Sequence, residues 1–217
     1  MNKEWSELNK TMQSELRKKD TCNDAIVTLF ELRKQLWNTI LSYKEELKRE
    51  DFDSIPFIDA EGYHSKTVAY SLWHIFRIED IVAHTLIKGD EQVFFAKDYQ
   101  KRIGSPIITT GNELVKEEIA EFSKQLDLDE LYLYMGDVKK STEKILKGIS
   151  FEDTKKKISD DNRKDLEKLC VVSKDESAVW LIDYWCKKDV RGLIQMPFSR
   201  HWIMHIEACE RIKSRCR

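Results

Sequence analysis

The chain has 217 residues, 41% apolar and 35% charged, a balance too apolar for disorder and long enough to bury one sizeable core. Its 37 basic and 39 acidic side chains are interleaved to a net charge of −2, which leaves no basic footprint for nucleic acid, and no apolar run approaches the about 18 residues that span a bilayer. Seven Gly and three Pro are too few to turn the corners of a sandwich or barrel, so long helices and few loops are expected.

Residues 1–20 are charged and weakly periodic and read as an N-terminal helical extension, with 21–217 as a single helical domain. The first strongly periodic helix runs from about Asn23 to Lys48, its Ile26, Leu29, Leu36 and Ile40 recurring at threes, fours and sevens. A second, from about Ser65 to Ile87, carries Val68, Leu72, Ile75, Ile78 and Ile81 and is expected to stop at Gly89. Residues 91–110 form a long connection, the kind of segment that serves as a lid or binding loop, and its Phe94–Phe95 pair argues against simple solvation. Helices are predicted from Asn112 to Leu126 and from Asp129 to Lys147. Segment 150–172 is charged and loosely periodic, whereas Ala178–Trp185 is apolar almost all round and is predicted to be buried. The last helix is expected from Ser199, capped by its hydroxyl, to Lys213. Strand signals are nearly absent, so the fold class is all-α, an antiparallel bundle with additional short helices.

Five histidines occur in the chain. His201 and His205 are four apart on the last helix, which puts both imidazoles on one face, one turn from each other. His74 lies on the inward stripe of the second helix, with Arg77, Ile78 and Ile81. Two packed helices thus offer imidazole where a core ordinarily takes Leu or Ile, and three such rings need partners. A metal ion held by His74, His201 and His205 satisfies them and leaves a coordination position for water or substrate. The alternative is three core imidazoles hydrogen-bonded to carbonyls or carboxylates. His64 and His84 lie off the stripe and are expected at partly exposed positions. Cys209, one turn beyond His205, reads first as a small buried apolar residue; as a ligand it could only replace His201, because eight residues, about 12 Å along a helix, keep the two from serving together.

Around this constellation, Glu79 and Asp80 point away from His74 and suit salt bridges to a neighbouring helix. Arg77 either presents its charge to an anionic substrate or pairs with Asp183. Trp73 and Trp202 flank the ligand candidates and are either core packing or pocket walls. No glycine-rich phosphate loop, nucleophile elbow or HExxH occurs. The five cysteines are odd in number and form no CxxC, which fits reduced thiols, and the N-terminal residues lack the apolar core of a signal peptide. A cytoplasmic location is expected.

The segments Ser71-Leu72-Trp73-His74-Ile75-Phe76-Arg77-Ile78-Glu79-Asp80 and Arg200-His201-Trp202-Ile203-Met204-His205-Ile206-Glu207-Ala208, in this order on the second and last helices, resemble the DinB-like (YfiT-like) family of metalloenzymes. The resemblance covers the chain from about Thr21 onward. It implies a four-helix bundle, a three-histidine site at His74, His201 and His205, and a divalent metal ion, Zn or Ni first. It further implies hydrolysis or transfer of a low-molecular-weight thiol, a small-molecule substrate, and a homodimer. A non-catalytic metal- or ligand-binding protein is the competing expectation. Residues 1–20 and 150–195 go beyond the minimal bundle and are candidates for a distinct lid.

Overall fold

Capping chemistry sets most helix ends. Residues 2–216 are described by the structure, a computed structural model. Helix α1 (Lys3–Glu15) opens with the Asn2 side chain accepting from the Trp5 N–H at 3.2 Å and buries Trp5 and Met12 along α2 (Cys22–Glu46). Helix α1 is therefore packed along α2 over its length. Helix α3 (Val68–Asp80) starts where the Thr67 hydroxyl accepts from the Tyr70 N–H at 3.0 Å. It runs on as a π-helical segment, Ile81–Lys88, and ends at Gly89, whose φ of +70° provides the left-handed stop expected there.

The predicted helix after Asn112 begins only at Glu117, forming α4 (Glu117–Gln125). Asp127 then caps α5 (Leu128–Lys147), accepting from the Glu130 N–H at 3.0 Å. After a single helical turn at Phe151–Thr154 come three longer segments: α6 (Asp160–Lys168), α7 (Glu176–Cys186) and α8 (Val190–Gln195). A π-helical turn, Met196–Arg200, leads without a break into α9 (His201–Cys216). Ser199 therefore does not cap α9. No free helix start is left beside it, and its hydroxyl donates instead to the carbonyls of Ile194 (3.2 Å) and Gln195 (3.0 Å).

All regular structure among the described residues is helical, apart from one isolated antiparallel bridge between Lys157 and Asp189. No helix there is long and apolar enough to cross a membrane. Helix α3 packs against both α5 and α9, and α2 closes against the same two, while α6 lies on the π-helical extension of α3. Side chains such as Leu36, Leu72, Phe76, Met135, Trp202 and Ile206 fill one core, and Met12, Leu29, Ile81, Leu166, Trp185 and Phe198 fill a second. Each large side chain so buried contributes about 1.5–3 kcal/mol against leaving it in water.

Between α2 and α3 a charged pair is sealed inside. Arg33 donates to both oxygens of Glu79 at 2.9 and 2.8 Å, and neither side chain is exposed. A second Arg33 contact goes to the carbonyl of Phe198 at 3.1 Å, and the Trp202 indole N–H donates to Glu79 at 2.8 Å. This pair fixes the approach of the chain into α9, just where His201 begins. The salt bridge expected for Glu79 is thus made to α2.

Candidate metal centre

His74, in the middle of α3, faces the first turns of α9, where His201 and His205 stand one above the other. Their ring centroids are 5.1 Å (His74–His201), 4.9 Å (His74–His205) and 4.6 Å (His201–His205) apart. One potential ligand atom from each lies within 4.8 Å of the others, and all three residues are buried. The three residues singled out by spacing are therefore brought together.

Their protonation is set by burial. Removal from water pushes the His74 pKa down to about 4, against a raising effect from its hydrogen bond to Thr110 and a further lowering by the Lys66 charge. Burial, followed by the repulsion of neighbouring imidazoles, holds His201 and His205 well below the ordinary histidine range. All three are neutral at pH 7, the state in which imidazole offers a lone pair to a metal. His74 Nδ1 lies 2.6 Å from the backbone carbonyl of Thr110. A carbonyl can only accept, so the proton sits on Nδ1 and the Nε2 lone pair is free. Nδ1 of His201 and of His205 is buried with no hydrogen-bond partner. Rings with buried, unsatisfied nitrogens fit an ion better than they fit a hydrogen-bonded core.

The 91–110 connection delivers the Thr110 carbonyl because it is strapped to α3. Asp80 accepts from the backbone N–H groups of Val93 (2.9 Å) and Phe94 (2.8 Å) and from the Tyr134 hydroxyl (3.1 Å). Arg77 donates to the Ile108 carbonyl (2.9 Å) and to Gln92 (2.7 Å), with its guanidinium 4.3 Å over the Phe94 ring. This corrects both expectations for Arg77. It is fully buried under the connection, presents nothing to the histidine cavity, and lies 3.8 Å from Asp80 rather than pairing with Asp183, whose partners are Arg163 and Lys187. Gly111 completes the strap with a φ of +75°, and a Cβ there would come within 3.0 Å of Tyr70 and 3.1 Å of Trp73.

A cavity of about 400 Å³ opens beside the three imidazoles. Ile78 and Met204 line it from the helices that carry the histidines, Met196 from the π-helical turn before α9, and Trp180, Leu181 and Tyr184 from α7. Helix α7 is thus buried on one side only, through Ala178, Leu181 and Trp185, and is not the fully buried helix expected. Trp180 and Val179 remain 49% and 42% exposed, because one side of the helix faces this cavity and another an open hollow of about 1110 Å³. Of the charged residues of that hollow, Arg163, Glu167, Asp183 and Lys187 pair with one another. No carboxylate lines the histidine cavity among the described residues.

Other candidates fall elsewhere. Trp73 and Trp202 are core side chains, Trp73 against Phe122 and Trp202 bonded to Glu79, and neither borders the cavity. Cys209 is fully buried, its thiol pushed up to about 12 by desolvation, and stands outside the histidine cluster. His64 is half-exposed beside Tyr63, as expected. His84 is buried, contrary to expectation, because Asp90 at 2.5 Å and Ser141 at 3.0 Å take both its nitrogens. Residues that spacing did not single out are Thr110, which acts through its backbone and has no sequence signal, and Lys66 and Tyr70. Those two recur at four-residue intervals before His74, and that interval is the signal that could have found them. Neither protein-family models nor curated proteins match the chain.

Proposed function

We propose that this protein is a divalent-metal-dependent enzyme of the DinB-like family, a four-helix bundle working in the cytoplasm on a small molecule. The observation that carries the reading is the convergence of three neutral, buried imidazoles, two with unsatisfied nitrogens, beside a cavity of about 400 Å³. The bundle reading draws on the way α2 and α3 each pack against both α5 and α9. Nitrogen-only ligation suits Zn or Ni. When bound, the ion supplies the electrophilic charge that activates water or a low-molecular-weight thiol, giving a hydrolase or a thiol-dependent transferase.

The chain's own part in such chemistry is preparation. Thr110 fixes the His74 tautomer, and burial keeps all three rings neutral. Three protein ligands leave a position open towards the cavity, and α7 gives that cavity an apolar wall. A binding role without catalysis is favoured by one observation, the lack of any lining carboxylate to serve as a general base. The test measures metal content of the purified protein and after loading with Zn²⁺ or Ni²⁺, then thiol transfer and ester or amide hydrolysis with loaded and stripped samples. Stoichiometric metal with metal-dependent turnover is expected. Turnover that survives stripping excludes the mechanism, and stoichiometric metal without turnover of either kind favours the binding role.

A further inference from the structure

The histidine cavity has a polarity of its own. Lys66, just ahead of the Thr67 cap of α3, is its only lining residue with a permanent charge among those described. The side chain is half-buried, a place lysines usually avoid by reaching out to water. No acidic side chain pairs with it among the described residues, and its ammonium lies 5.1 Å from the centroid of the Tyr70 ring. Tyr70 in turn stacks on His74 at 5.4 Å with the rings only 12° from parallel. Tyr70 thus touches both the ammonium and the metal-site imidazole, and the Lys66 charge is felt at both His74 and His205. A partly desolvated cation over an aromatic face, with no counter-ion, has unused capacity for a charged acceptor. Across the cavity the walls are the opposite in character. Leu181, Met196 and Met204 are apolar, while Trp180, Tyr184 and Trp185 add broad aromatic surface.

We propose that this cavity binds an amphipathic carboxylate, its anionic head taken by Lys66 and its apolar tail laid against α7. The inference rests on reading the cavity as the substrate site and names the class of molecule that it takes. The head end lies beside the imidazoles, so the atoms near the carboxylate are the ones brought to the metal. The tail end abuts Trp180 and Tyr184, which also wall the larger open hollow on another side of α7.

Calorimetric titration with 4-phenylbutyrate and its neutral amide, in metal-stripped and zinc-loaded protein, tests this. In stripped wild type the acid is expected to bind about tenfold more tightly than the amide, the scale of one charge-assisted contact. Lys66→Met should abolish that preference and Lys66→Arg retain it, with zinc content and helical circular dichroism unchanged in both. Equal binding of acid and amide, a preference that persists in Lys66→Met, or binding of neither compound overturns the proposal. So does a preference seen only with zinc, which would assign the carboxylate to the ion. If wild type takes up no zinc, the metal reading fails, and the stripped-protein comparison still decides this one.

Discussion

Replacing Glu79 with Leu should damage stability more than any surface change, and the sealed pair with Arg33 says by how much. The substitution leaves a guanidinium with no exposure facing a leucine, keeping its contacts to the Phe198 carbonyl and the Trp202 ring and one long ion pair, at 3.4 Å, to Glu143. It also orphans the indole N–H of Trp202. Breaking one side of a buried ion pair costs about 3–5 kcal/mol, most of it the burden of the unpaired charge. For a chain of this length each kcal/mol moves the melting temperature by about 2–4 °C, so a fall of roughly 6–20 °C is expected. Arg33→Met should cost a similar amount, since it strands the Glu79 carboxylate. The double variant Arg33→Met/Glu79→Leu should be less destabilised than either single one, because no buried charge is left without a partner. Thermal melts followed by circular dichroism, with urea titrations for free energies, give all three values. A Glu79→Leu melt within about 2 °C of wild type, or strictly additive losses in the double variant, would refute the account.

Further outcomes concern the metal centre and assembly. His74→Ala, His201→Ala and His205→Ala should each lose stoichiometric zinc by mass spectrometry while keeping wild-type helical content, since the two cores do not depend on the rings; retention of metal by all three contradicts the ligand set. Metal-free protein should lose stability as pH falls from about 6.5 towards 4, because the unfolded chain takes up protons on histidines that the folded chain keeps neutral. The drop from the ordinary value to about 4 makes the His74 share alone on the order of 3 kcal/mol, present above pH 6.5, and a flat urea midpoint across this window would count against it. Light scattering should find a homodimer at about twice the chain mass of 25.7 kDa; one species at the chain mass over a wide concentration range excludes it.

Helix periodicity carried the reading of α2, α3, α5 and α9 to within a few residues of their ends, and the same periodicity put three histidines on facing stripes. What it could not give was the neighbour across each stripe. Arg77 and His74 share a helical face, but the 91–110 connection folds over the Arg77 end and leaves the His74 end open to the cavity. His84 departs from its expected exposure for the same reason, its partners coming from the turn after Gly89 and from α5. Helix α7 misled in the other direction. Hydrophobicity all round it signals apolar surroundings, and a cavity lined by Trp180 and Tyr184 meets that demand as well as a core does. Thr110 was out of reach altogether, because a main-chain carbonyl has no letter in the sequence.

That last point decides how the centre would respond to a scan of every possible substitution. The group that holds the His74 proton is common to all twenty amino acids, and the Thr110 side chain is turned to Asn112 at 2.8 Å, away from the ring. Position 110 is fully buried and should therefore tolerate exchange for side chains of threonine's size, such as Val or Ser, and show no sign of the role that its carbonyl plays. The intolerance is displaced one residue along, to Gly111, where a single methyl group would press on Tyr70 and Trp73 and where the chain turns at a positive φ. Tyr70 rests on His74 and donates to the Gly111 carbonyl at 2.8 Å, so a side chain there reaches the ligand through two contacts. In such a scan the centre would be marked by a glycine with no chemistry of its own, beside a threonine that performs the chemistry without using its side chain.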